Sequence, residues 1–404
     1  MNCVSAVNAI STSEKLSYWK LSTKRLSEVL TAAISRVWPS LPTMREALRE
    51  GLEHLVRAHV PSPELAAELL LMHALGCDRG FLYAHPETEI APDALERYFA
   101  TIAERATGKP TQYITGHQEF WGLDFEVTPD VLIPRPETEH VVEAVIELAD
   151  VAPGFSPANA ALKGGSTNKQ RQSRKNAALR IVDVGTGSGC IALALAHEFP
   201  NAKIFATEIS RPALEVARRN AARLKMSGQV EFVEGDLLEP FLKPAVFGSS
   251  SESGAVAAVY DRRNKNRADD SAATAGEIRF DFVVSNPPYV GRDELDQVQR
   301  EVRDFEPRIA IGGLEQGDEI YRRLFPQAWQ VLKPGGFVVV EIGYNMRDRV
   351  LALLGAVAPA SSPAKFFGSR DSAATTAEGW AEIEVLPDLA GIPRVVSAKK
   401  GAGC

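Results

Sequence analysis

From Leu179 to the end of the chain, short apolar runs alternate with segments of helical period, and this rhythm limits the fold more than any other feature. Leu179–Val184, Lys203–Glu208, Val230–Glu234, Asp281–Ser285 and Gly335–Ile342 read as strands. They are nearly continuous in apolar residues, as strands covered on both faces are. Between them, Gly189–Glu198, Arg211–Leu224, Gly317–Leu332 and Met346–Leu354 repeat their apolar positions with helical spacing. Strand–helix alternation predicts an α/β fold with a parallel sheet between two layers of helices. Two closing runs near Ala381–Val385 and Arg394–Ala398 have little chain between them, which predicts an antiparallel hairpin at the sheet edge and seven strands in all.

The chain ahead of this region has a different character. Leu48, Leu52, Leu55 and Val56 follow Thr43, a candidate N-cap, at helical spacing, and Pro61-Ser62-Pro63 interrupts them. Glu64–Leu75 and Ala91–Gly108 continue the pattern, so residues 44–108 predict a small all-helical domain. Gln112–Gly116 and Gln118–Val127 alternate apolar residues with glycine turns and predict a β-hairpin within a linker over 109–136. Pro134-Arg135-Pro136 forces an extended passage before a helix over Glu137–Ala149, the start of a domain running to residue 404. Segments near 152–178 and 247–276 are polar and lack apolar period, so both read as surface insertions. Residues 1–43 read as a disordered extension; their Ser, Thr, Lys and Arg content gives organellar targeting as the alternative to a cytoplasmic location.

Composition excludes more than it selects. The chain has 404 residues, 45% hydrophobic and 24% charged, which is ordinary for a globular protein. A formal net charge of -7 argues against duplex nucleic acid as a direct partner, because phosphate binding draws on a basic face. The cluster Lys169, Arg171, Arg174 and Lys175 reads as a solvated loop. Cys3, Cys77, Cys190 and Cys404 lack metal-ligand spacing and are expected as reduced thiols, with no metal site. No stretch reaches the roughly 20 apolar residues of a membrane span, and nothing in the chain calls for more than a monomer.

Two motifs carry chemistry. The first strand runs into Asp183-Val184-Gly185-Thr186-Gly187-Ser188-Gly189, where glycines allow a tight turn and close backbone approach to a ligand. The next helix would offer its positive N-terminus to an anionic group. Glu208 closes the second strand, positioned to accept two ribose hydroxyls, and Asp236 follows the third, where an adenine amino group needs an acceptor. These residues predict a nucleoside site, but NAD and S-adenosylmethionine (AdoMet) both remain open on them alone. The fourth strand decides, because it ends in Asn286-Pro287-Pro288-Tyr289. The Asn286 side-chain oxygen and the Pro287 carbonyl are two acceptors for a planar NH2 group, and Tyr289 is an aromatic surface to stack on it or line the methyl path. Asn286, Pro287, Pro288 and Tyr289 are therefore the candidate catalytic residues. Asp183, Gly185, Thr186, Gly187, Gly189, Glu208, Asp236 and Asn286 are the candidate AdoMet-binding residues, and the implied reaction is N-methylation.

These residues resemble the protein-(glutamine-N5) methyltransferases of the HemK/PrmC group. The resemblance is carried by Val131-Leu132-Ile133-Pro134-Arg135-Pro136-Glu137-Thr138-Glu139, Asp183–Gly189, Asn286–Tyr289, Glu306-Pro307, Gly312-Gly313 and Val340-Glu341-Ile342-Gly343-Tyr344. It implies a seven-stranded, Rossmann-like AdoMet-dependent methyltransferase domain preceded by a helical domain that docks the substrate. It implies methylation of the glutamine in the Gly-Gly-Gln motif of class I peptide chain release factors, with Asn286 and Pro287 holding the amide. Glu208 stands where the family more usually has Asp. The alternatives are a glutamine methyltransferase of a ribosomal protein, an N6-adenine methyltransferase of nucleic acid, and a release-factor-binding protein without activity.

Overall fold

A computed structural model of the chain describes residues 41–151, 178–242, 278–355, 371–373 and 379–401. The expected insertions near 152–178 and 247–276, and nearly all of the expected extension over 1–43, lie outside the described residues. The chain divides into two compact units. The first reaches Gly116 and includes Gln299–Phe305; the second comprises His117–Val298 and the chain from Glu306 onward.

The first unit is helical. It contains α1 (Met44–Arg57), α2 (Pro63–Leu75), α3 (Arg79–Ala84), α4 (Pro92–Ala106) and α5 (Thr111–Thr115). Thr43 caps α1 as expected: its hydroxyl accepts the Glu46 N–H at 3.3 Å, and the Glu46 carboxylate accepts the Thr43 N–H at 2.9 Å. Leu55, Leu70, Leu71, Leu95, Tyr98 and Ile102 form the core. Helix α5 corrects the reading of Gln112–Gly116 as part of the hairpin. Thr111 and Tyr113 are buried, and Gly116 ends the turn in the left-handed conformation at φ +80°. So short a helix shows no periodicity that sequence alone would separate from alternation.

The hairpin that follows belongs to the second unit and is shorter than expected: β1 (His117–Phe120) pairs with β2 (Leu123–Glu126). Both connecting residues, Trp121 and Gly122, have positive φ, as a type I′ turn requires. Two contacts hold Trp121 there. Its backbone N–H donates to Glu139 at 2.7 Å and its indole N–H to Glu198 at 3.1 Å. Helix α6 (Glu139–Val151) comes next, after a 3-10 turn over Pro136–Thr138.

The main sheet is built from β3 (Arg180–Val184), α7 (Cys190–Glu198), β4 (Lys203–Glu208), α8 (Arg211–Arg223), β5 (Val230–Glu234) and β6 (Phe280–Ser285). After β6 come a short pair, β7 (Val290–Gly291) and β8 (Gly312–Leu314), with α9 (Arg300–Phe305) and α10 (Arg308–Ile311) between them in the chain. Then follow α11 (Glu319–Val331), β9 (Leu332–Glu341), α12 (Arg347–Leu353), β10 (Asp371–Ala373), β11 (Trp380–Pro387) and β12 (Pro393–Lys400). The strand order is β10-β11-β12-β9-β6-β3-β4-β5. Strands β9, β6, β3, β4 and β5 run parallel, and β11 and β12 close the sheet as the antiparallel hairpin read from the sequence. The seven expected strands are present. Strand β10 is an eighth at the outer edge, too short to give a sequence signal.

Each strand sends alternate side chains to opposite faces. Ile181, Ile204, Phe282 and Val339 join a core with α6 and α7 on one side. Val182, Phe205, Val283 and Val338 join α11 and α12 on the other. Asn220, fully buried on α8, ties this frame to the hairpin. Its oxygen accepts the Glu126 N–H at 2.7 Å, and its nitrogen donates to the carbonyls of Glu126 at 3.0 Å and Ser188 at 2.9 Å. Among the described residues, no helix is long and apolar enough to cross a membrane.

Candidate active site

The chain leaves β3 toward β4 and β5 on one side and returns to β6 on the other. Such a reversal opens a crevice at the carboxyl ends of the strands. Val184 is level with Thr207 in β4 and with Ser285 in β6. The glycine turn, Glu208 and Asn286 therefore emerge at one edge. A cavity of about 300 Å3 opens there, lined by Gly185, Thr186, Gly187, Glu208, Asp236, Asn286, Pro287 and Pro288. Of the residues expected to bind or act, Asp183, Gly189 and Tyr289 are not among its lining residues.

Asp183 works beneath the turn. It is fully buried, and one carboxylate oxygen accepts the Thr186 hydroxyl at 2.6 Å and the Ala192 N–H at 3.2 Å. Burial pushes its pKa up to about 7. Gly185 and Gly187 have φ of +71° and +54°, and a Cβ on either would meet nothing within 4 Å. The turn thus presents bare backbone to the cavity. Glu208 supports it from β4, with one oxygen accepting the Gly187 N–H at 3.0 Å and the other the Ser210 N–H at 2.8 Å. Each oxygen keeps a lone pair for a ligand hydroxyl. A cavity with open glycines, the start of a nine-residue helix and two carboxylates suits AdoMet, which has a carboxylate, a ribose and an adenine.

Asp236 is not a free acceptor. Arg323 on α11 donates to it at 2.6 Å and is itself part of the cavity wall. Arg323 has no signature in the sequence, because no local pattern links it to residue 236.

Around Asn286 a second network appears. Its side-chain nitrogen donates to the Thr138 hydroxyl at 3.0 Å, and that hydroxyl donates to Glu341 at 2.6 Å. The Tyr289 hydroxyl reaches the other Glu341 oxygen at 3.4 Å. A Cβ on Gly343 would lie 3.0 Å from the Tyr289 ring, so the ring packs on that backbone and is not part of the cavity lining. Thr138 and Glu341 are both buried, and burial pushes the Glu341 carboxyl up to about 7. Arg135, also in the cavity wall, is held by the buried Glu306, which accepts the Ile133 N–H at 3.3 Å as well. Among the described residues, no cluster of His, Cys, Asp and Glu could hold a metal ion.

Comparison with known proteins agrees with the fold. Residues 46–116 match the PrmC N-terminal domain family and residues 175–261 a methyltransferase domain family. The protein is thus an AdoMet-dependent methyltransferase. Among curated relatives, the release factor glutamine methyltransferase of Koribacter versatilis is 44% identical over 89% of this chain and 99% of that protein. Those of Moorella thermoacetica and Geobacter sulfurreducens are 38% and 35% identical, each over 78% of this chain and about nine-tenths of their own length. The chain belongs to the release factor glutamine methyltransferase family.

Proposed function

We propose that this enzyme methylates the side-chain amide nitrogen (N5) of the glutamine in the Gly-Gly-Gln motif of class I peptide chain release factors. The observation that carries this reading is the engagement of Asn286. Its nitrogen is committed to Thr138, which leaves its oxygen as an acceptor at the cavity wall. The names of the relatives specify a release factor glutamine, which supports this reading.

An amide nitrogen is a poor nucleophile because its lone pair is delocalised into the carbonyl. Asn286 Oδ1 and the Pro287 carbonyl oxygen accept its two N–H groups, draw electron density onto nitrogen and aim it along one line. Pro287 and Pro288 fix the backbone so that this carbonyl keeps its direction. Bound AdoMet supplies an electrophilic methyl group on a sulfonium and departs as the thioether. The nitrogen that gains the methyl gives up one proton and keeps one. The Gly185–Gly187 backbone and the first turn of α7 would receive the methionine carboxylate, Glu208 the ribose hydroxyls, and Asp236 beside Arg323 the adenine edge.

The test incubates the enzyme with methyl-labelled AdoMet and a class I release factor, then with the same factor carrying Gln→Glu in its Gly-Gly-Gln motif. Label on the first alone is expected. Equal label on both means that another residue is the acceptor. With no label on either, ribosomal proteins and adenine-containing nucleic acid are the next substrates to offer.

A further inference from the structure

We infer that Thr138 and Glu341 are positioning residues that set the polarity of the Asn286 side chain, so that its oxygen and not its nitrogen faces the substrate amide. This rests on Asn286 being the amide acceptor proposed above. The two ends of an asparagine amide are nearly identical in shape, and only hydrogen-bond partners choose between them. A site that holds an NH2 group works with one choice and is blocked by the other.

The selection follows from proton counting. A carboxylate only accepts, and a hydroxyl has a single proton to give. Thr138 lies 2.6 Å from Glu341, and both side chains are buried, with no more than 2% of either residue exposed. Ionised Glu341 accepts the hydrogen bond that the Thr138 hydroxyl donates. The Thr138 oxygen, 3.0 Å from the Asn286 nitrogen, then has only lone pairs to offer and binds only the NH2 end. Once Glu341 is protonated it donates to Thr138 instead, which frees the threonine proton for Asn286 Oδ1 and turns the amide round.

The frame supports this arrangement. Asn286 directly follows β6 and Glu341 ends β9, adjacent parallel strands with Ser285 level with Val340. Thr138 reaches them from the 3-10 turn over Pro136–Thr138. Arg394 on β12 favours the ionised carboxylate and Glu137 opposes it. The Tyr289 hydroxyl faces the second Glu341 oxygen, the Tyr321 hydroxyl bonds the Glu341 backbone carbonyl, and the Cys190 thiol feels the carboxylate from α7.

The experiment compares Thr138→Val, Thr138→Ser and Glu341→Gln in the full-length enzyme. It measures kcat and KM for the release factor at saturating AdoMet, with AdoMet Kd by calorimetry. Thr138→Val is expected to lower kcat by about 10-fold or more, with AdoMet Kd unchanged, and Thr138→Ser to retain most of the activity. In an Asn286→Ala background, itself down by about 10²-fold, Thr138→Val should add nothing, because the group it orients is gone. Equal losses in both backgrounds would show a merely structural threonine and overturn the inference. Should Thr138→Val fail to fold, Thr138→Ala takes its place, with the same loss of kcat and the same non-additivity expected. In Glu341→Gln a glutamine donates or accepts with equal ease, so kcat is expected to fall by only about 2-fold. No label on the release factor from the unaltered enzyme overturns the functional reading and this inference together. Label from the unaltered enzyme, with kcat unmoved in the variants, overturns this inference alone.

Discussion

Glu208 serves two masters, since its carboxylate holds the backbone of the glycine turn and of α8 while facing the cavity. Glu208→Ala is expected to weaken AdoMet binding by about 10-fold or more, from lost charge-assisted hydrogen bonds. An unchanged affinity by calorimetry would remove the ribose role. Asp183 presents the opposite case, a carboxyl whose whole effect is internal. Its folded pKa of about 7 lies above the ordinary aspartate value of 3.8. The folded state therefore binds the proton more tightly than the unfolded chain does. The resulting stabilisation is complete below the unfolded value and is lost as pH rises through the folded one. Asp183→Asn is expected to flatten the fall in melting temperature of the ligand-free enzyme between about pH 4 and about pH 7. A slope identical to that of the unaltered protein would show that Asp183 is not the group responsible. Glu341, shifted in the same direction by the same cause, leaves a residual slope in the variant.

At the level of elements, packing reverses what propensity suggests. Gly51 sits inside α1, where glycine costs about 1 kcal/mol relative to alanine. The same position admits Tyr98 from α4, and a Cβ there would lie 2.0 Å from its hydroxyl oxygen. Gly51→Ala is thus expected to destabilise the helical unit by about 2 kcal/mol, the overpacking term exceeding the gain in propensity. Denaturant unfolding followed by helical circular dichroism gives the sign directly. The hairpin has a comparable dependence on a distant residue. Nothing near His117–Glu126 in sequence announces Asn220, yet that one buried side chain satisfies both the N–H and the carbonyl of Glu126. The reading of Gln112–Gly116 as extended failed for a related reason, since burial in the first unit favours a single helical turn that its few residues do not advertise.

Over the whole molecule, the chain order and the unit order differ. Residues Gln299–Phe305 pack with the helical unit although they follow β6 and β7. There Glu301 pairs with Arg105, whose side chain is only 3% exposed. Glu301→Ala would leave a buried guanidinium with, among the described residues, only the Lys109 carbonyl, and is expected to cost about 3 kcal/mol. A melting temperature equal to that of the unaltered protein would mean that this segment does not complete the unit. The same separation in sequence governs the cavity edge, where Thr138, Asn286 and Glu341 meet from three places far apart in the chain.

What the sequence determined by itself was whatever depends on local backbone chemistry and on periodicity. The glycine turn after β3, the proline-fixed Asn286–Tyr289 stretch and the parallel sheet with its terminal hairpin were all legible, because glycine and proline restrict their own neighbourhoods and burial on two faces imposes continuous apolar runs. Tertiary structure alone decided which polar side chains face one another. It turned Tyr289 toward Gly343, set Arg323 on Asp236 and brought Thr138 between Asn286 and Glu341. A hydrogen bond is a condition on distance and direction between two atoms, and nothing in the order of residues along a chain states it.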